Sequence, residues 1–208
     1  MARPARVSPA RILAAAADEF AERGFGGARV DRIARRARVN KAMLYYHFKS
    51  KRDLYRALLR RVFTLASERM GAIARSNLSS VEKIERAVAG FADLIREHPY
   101  MPAIMLREVA EAGVHLDRDT LAALSGVPRT VAGIIQEGAE RRAFRPVDPV
   151  FAYFSMMAPI VMFLAAAPIR QEVQDLHLMN LGAGSSDQFV HHMQDMLCRA
   201  LACDASRA

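Results

Sequence analysis

The chain has 208 residues, 52% of them hydrophobic and 25% charged, with a formal net charge of +8. That length suits one compact domain, or a small domain joined to a larger one, with apolar residues enough for a core. Cys198 and Cys203 fall on different faces of a helix, and no Cys/His cluster has zinc spacing, so neither a disulfide-framed secreted protein nor a structural metal is expected.

The N-terminal apolar run 12–17 stops at Asp18-Glu19, short of the roughly 7–15 residues of a signal h-region, and a cytoplasmic protein is expected. The stretch 149–169 carries no charge over 21 residues, which is long enough to span a bilayer. It also holds Pro149, Ser155, Pro159 and Pro168, and a buried core or interface helix accounts for it without a membrane.

The charge is uneven. Residues 1–61 hold 16 Lys and Arg against five acids, a net +11, so the remaining 147 residues carry −3. A basic head on a slightly acidic body points to a polyanionic partner, although a solvated basic surface has the same composition. Spacing has to decide between them.

Ser8-Pro9 opens a helix, with serine as cap and proline at the first position. Leu13, Ala16, Ala17 and Phe20 then make one apolar stripe, and Arg23-Gly24-Phe25-Gly26-Gly27 ends the helix. Val30, Ile33, Ala34 and Ala37 repeat the spacing in a second, shorter helix. Arg38-Val39-Asn40 makes a tight turn, and Asn40 caps a third helix at about 40–48. Ser50-x-x-Asp53 begins a long fourth one as a variant capping box. Two short helices joined by a tight turn form a helix-turn-helix, whose second helix reads the major groove. With Leu44 and Phe48 inward, Ala42 and Tyr46 lie opposite them, flanked by Lys41 and Tyr45 and by Met43 and His47. A small residue admits the backbone to the groove floor, and lysine, tyrosine and histidine donate to bases or phosphates. Tyr45 and Tyr46 are adjacent and cannot both be core residues.

The run from Val30 to Lys51, and above all Leu44-Tyr45-Tyr46-His47-Phe48-Lys49-Ser50-Lys51, resembles the DNA-binding signature of the TetR family of bacterial transcriptional regulators. The resemblance covers roughly residues 8–61. Ala28-Arg29 stands where the family often has Ser or Thr, which loses a side-chain cap and adds a cation beside DNA. Arg38 replaces a turn glycine, at a cost of about 1 kcal/mol if its φ is positive. Ala42-Met43 stands where Gly-Thr or Gly-Ser is common. The candidate contacts to double-stranded DNA are Arg29, Asn40, Lys41, Ala42, Met43, Tyr45, Tyr46, His47 and Lys51.

Beyond the head, Leu54, Leu58, Val62, Leu65, Ala66 and Ile73 extend a helix over 51–74. Further helices are expected over 81–97, after Pro102, over 119–141 with a kink at Pro128, from the Asp148 cap through the long apolar run, and over 189–201 behind a Ser185-x-x-Gln188 capping box. No strand pattern or internal repeat is present. The reading is all-α. The resemblance implies roughly nine helices: a DNA-binding domain over 1–50 and a ligand-binding and dimerisation domain over 51–208.

The resemblance also implies a homodimer whose last two helices pair with their counterparts, matching a palindromic operator. Ile160, Phe163 and Leu164 with Phe189, Met193, Met196 and Leu197 are the candidate interface, unless both stripes are buried within one subunit. It implies a small apolar or amphipathic inducer as well, with Phe91, Ile95, Met101, Met105, Tyr153, Met157 and Met162 as candidate lining and His115 or Glu108 as polar contacts. The methionines equally suit ordinary gap-filling. The histidines are scattered, without a paired nucleophile or a phosphate loop, so no enzyme, cofactor or metal is expected. The function read here is a ligand-responsive regulator, most often a repressor in this family. The alternative is an architectural or partner-recruiting DNA-binding protein of the same fold with no inducer.

Overall fold

The computed structural model describes residues 8–179 and 184–202; Arg3, Arg6 and Cys203 lie outside the described residues. Eleven helical segments follow in order: α1 Pro9–Gly27, α2 Val30–Arg36, α3 Lys41–His47, α4 Lys51–Ala74, α5 Ser80–Glu97, α6 Met101–Ala110, α7 Arg118–Leu124, α8 Gly126–Glu140, α9 Pro149–Ala165, α10 Ala167–Asp175 and α11 Ser186–Leu201. Among the described residues there is no strand, only an isolated antiparallel bridge between Phe144 and Ala202. Two compact units result, the first holding the described residues up to Val62 with Ala103–Ala122, the second Phe63–Pro102 with the described residues from Ala123.

In the first unit the stripe Leu13, Ala16, Ala17 and Phe20 is buried with Ile12, Ile33, Leu44, Leu54 and Leu58. Ser8 caps α1 through Ala10 N–H at 3.3 Å, and Gly24 interrupts the helix at φ 66° and ψ 175°. That conformation is open to glycine and strained for other residues. The N-terminus of α2 has no side-chain cap of its own. Buried Glu19 of α1 supplies one from a distance, accepting from Arg29 N–H at 3.1 Å and from Arg32 Nε at 2.6 Å. Burial by itself would raise the Glu19 carboxyl, but the Arg32 hydrogen bond, the Arg29 N–H and the charges of Arg32 and Arg36 outweigh it and hold the group below its ordinary value.

In the second unit α5, α8, α9 and α11 pack on one another, burying Ile84, Val88, Ile134, Ile160, Val190 and Met193 among others. A Ser79–Glu82 capping box starts α5. Lys83 of α5, almost wholly buried, reaches Glu137 of α8 at 2.9 and 3.2 Å. A buried ammonium without that carboxylate would be costly.

Two expectations need correction. The 119–141 segment does not kink at Pro128; it breaks at Ser125, and Pro128 sits in the first turn of α8. Proline is tolerated there because the first-turn N–H groups lack intrahelical acceptors. Gly126 is needed at the break, since a Cβ would lie 2.3 Å from Ser67 Oγ. Nor is 149–169 one helix. α9 runs on through Pro159 and stops at Ala165, and α10 leaves at a 48° bend. Among the described residues no single helix is long and apolar enough to cross a membrane.

Candidate nucleic-acid interface

α3 is seven residues long and owes its start to Asn40, whose Oδ1 accepts from Met43 N–H at 2.6 Å. Leu44 is fully buried and anchors it, whereas Phe48, expected to be inward, is the C-cap residue and only half-buried. The opposite side is open. Tyr46 is 82% exposed, Tyr45, Ala42, Asn40 and Arg29 are exposed, and Met43 and His47 are half-buried. The His47 ring stands edge-on to Tyr46 with centroids 5.2 Å apart. This is a small, aromatic, cationic face on a helix short enough to enter a groove end-on.

Lys41 lies at the N-terminal end of that face and pairs with Asp31 of α2 at 2.9 Å, both side chains exposed. The hydrogen bond to Asp31 and its charge raise the lysine above its ordinary value. Such an open pair is screened by salt and competes weakly with a phosphate.

Lys51 is a correction. Its ammonium does not face outward but bonds the carbonyls of Phe25 at 2.8 Å, Ala28 at 3.1 Å and Gly26 at 3.4 Å, and lies 4.6 Å from the Phe25 ring centroid. An ammonium has three donors, and all are engaged. Lys51 therefore ties the α1–α2 connection to the start of α4. The turn before α3 does adopt positive φ at Arg38, 51°.

Sequence reasoning missed Glu19 and the network behind α4. Tyr55 donates to Glu108 Oε1 at 2.7 Å, and His115 Nδ1 lies 2.9 Å from the same oxygen. Burial and then Glu108 push the Tyr55 phenol far above its usual range. Glu108 and His115, read as ligand contacts, are thus bonded to each other inside the first unit. Arg107 beside them bonds the carbonyls of Phe20 and Ala21.

The residues expected to line a ligand pocket differ in their surroundings. Ile95, Met101 and Tyr153 are buried in the second unit, Met105 belongs to the first, and Met162 is 56% exposed. Phe91 and Met157 are half-buried. A cavity of about 350 Å³ lies between Arg145–Asp148, Phe151 and Ser155 of α9, and Leu197, Ala200 and Leu201 of α11, and none of the seven lines it. The expected dimer stripes divide likewise. Ile160, Met193 and Leu197 are buried within the chain's own second unit and are unavailable to a partner, while Met196 is exposed and Phe163, Leu164 and Phe189 are half-buried. Phe163 stacks on Phe189 at 3.9 Å.

Residues 12–58 match the family described as "Bacterial regulatory proteins, tetR family", and residues 81–197 match "Tetracyclin repressor-like, C-terminal domain". The chain belongs to the TetR family and is a DNA-binding transcriptional regulator. It is 27% identical over 199 residues to the HTH-type transcriptional repressor SCO4008 of Streptomyces coelicolor, covering 96% of this chain and 95% of that one. Among solved structures it is similar to the transcriptional regulator FadR from Bacillus subtilis in complex with stearoyl-CoA, with a TM-score of 0.71 and 17% identity over 93% of this chain and all of that one. It is also similar to AibR in complex with isovaleryl coenzyme A and operator DNA, with a TM-score of 0.71 and 19% identity over 90% of this chain and 96% of that one.

Proposed function

We propose that the chain is a ligand-responsive repressor that binds a palindromic operator as a homodimer in the cytoplasm. Residues 1–50 read DNA, and residues 51–208 dimerise and take the ligand. The observation that carries the DNA part is the exposed face of α3, where Lys41, Ala42, Tyr45 and Tyr46 stand clear of a buried Leu44. Arg29 adds a cation at the start of α2. The dimer reading is supported by an apolar face on α9 that one chain leaves open, Phe151, Phe154 and Met162. Water-exposed aromatic residues in such a row mark an interaction surface.

The ligand reading draws on similar structures solved with stearoyl-CoA and with isovaleryl coenzyme A. An apolar or amphipathic effector would bias two states of the dimer, with α4 continuous from Lys51 to Ala74 as the covalent link. One observation favours the architectural alternative: Ile95, Met101 and Tyr153 are packed into the core instead of lining the cavity.

The experiment is reciprocal titration. Duplexes selected from a random pool provide the operator, and acyl thioesters and free fatty acids are titrated with and without it. Coupling of about 5–150-fold in both directions is expected. Ligands that bind equally well with and without operator, or none that bind, would leave the architectural reading.

A further inference from the structure

α6 ends in a turn that folds the chain back on itself. Gly113 N–H bonds Glu108 O at 2.8 Å and Ala112 N–H bonds Val109 O at 3.2 Å, with Ala112 at φ 54°. This reversal returns His115 over Glu108, one turn from Glu111. An oxygen of Glu108, an oxygen of Glu111 and a ring nitrogen of His115 then lie within 4.8 Å of one another.

Glu108 is 2% exposed, and its two oxygens are treated unequally. Oε1 accepts from Tyr55 at 2.7 Å and lies 2.9 Å from His115 Nδ1, whereas Oε2 is buried with no hydrogen-bond partner. A buried carboxylate with one oxygen unpaired calls for a donor or a cation. The nearby cations are committed elsewhere: Arg107 to the carbonyls of Phe20 and Ala21, and Arg56 to His115 O and Asp117. His115 Nδ1 is also 3.4 Å from Glu111 Oε2, and Glu111 is 51% exposed, which leaves a way in from solvent.

We propose that Glu108, Glu111 and His115 form a binding site for one divalent first-row transition ion of the Zn²⁺ type. One imidazole and two carboxylates are an ordinary donor set for such an ion, and three protein ligands leave a fourth position to water. Bonds of about 2.0–2.2 Å need donors roughly 3–3.5 Å apart, and small rotations of Glu111 and His115 close the present spread. The Tyr55 hydroxyl keeps Oε1 and thereby orients the carboxylate, as second-sphere donors do at metal sites. The Phe25 and His115 ring centroids are 4.1 Å apart, which limits the swing of the imidazole. Glu108 and His115 were also candidate polar contacts of the ligand reading, but the ion site is tested apart from it, by metal uptake in the absence of operator and effector.

The test uses the full chain, stripped with chelator and titrated with Co²⁺ as a visible probe, followed by competition with Zn²⁺. One Co²⁺ per chain is expected, with d–d bands of low coordination number, loss of the bands on adding Zn²⁺, and a rise in Tm with ion concentration. Glu111→Gln, at a half-exposed position, should fold and weaken Co²⁺ by at least about tenfold, and His115→Ala should abolish the bands. Should His115→Ala fail to fold, Glu111→Gln with its melting curve decides alone. No saturable uptake up to about 1 mM, or uptake that Glu111→Gln leaves unchanged, would overturn the proposal.

Discussion

Glu19 is a single acid on the inner side of α1, yet it caps α2 and holds Arg32. Glu19→Gln keeps the shape but removes the charge, and should cost about 2–3 kcal/mol by urea denaturation. Because its folded pKa lies below the ordinary value, its contribution is complete above the ordinary carboxyl range. That contribution is lost as pH falls through the lowered value, so the variant should show a shallower acid limb. Nothing at the sequence level marked Glu19, since its partners are 10 and 13 residues away. Leu44 was legible from its four-residue spacing with Phe48, although Phe48, read as inward with it, is the C-cap residue and only half-buried. Leu44→Ala should cost about 2–5 kcal/mol, and Tyr46→Phe should leave Tm unchanged. Equal losses from the two would mean that α3 is rotated from the orientation described.

At the scale of the element, helix starts are marked by their caps, and the ends of α4, α5 and α11 fall where the sequence pattern placed them, but four stops carry no such mark. Ser8, Asn40, Asp148 and the Ser185–Gln188 pair all cap as their sequence suggests, because the capping groups are local side chains. Those four stops rely on backbone. α2, α6, α8 and α10 each end with paired 6→1 and 5→2 hydrogen bonds around a residue at positive φ: Arg38, Ala112, Arg142 and His177. This is the Schellman arrangement, usually built on glycine. With no glycine at those four positions the terminators carry no compositional mark. Arg38→Gly and Ala112→Gly should each stabilise the fold by about 0.5–1 kcal/mol, the left-handed penalty less the extra chain entropy of glycine. Urea midpoints check this, and a lower midpoint for both would contradict the assigned turn geometry.

For the whole molecule, periodicity identified apolar faces without saying what covers them. The last helix was read as one stripe of Phe189, Met193, Met196 and Leu197. The fold uses Val190, Met193, Leu197 and Leu201 inside and leaves Met196 outside. On α9, Tyr153, Met156 and Ile160 turn inward while Phe151, Phe154 and Met162 remain open. A one-chain pattern cannot separate a neighbouring helix from a second copy, because both present the same apolar surface. Phe151→Asp with Phe154→Asp should convert the proposed dimer to a folded monomer by light scattering. A variant that stayed dimeric would move the interface off this face. Periodicity does not single out pocket lining either, since a pocket and a packed core draw on the same methionines and aromatics.

The central claim, that α3 and the basic head read duplex DNA, meets its most direct test in the salt dependence of affinity for a selected operator. Anisotropy titrations on the full chain between 50 and 200 mM salt should show a fall of about 10³–10⁵, as expected for 6–10 phosphate contacts. Lys41→Ala and Tyr46→Phe should weaken binding with melting curves unchanged. Affinity indifferent to salt, and equal in both variants, would contradict the account.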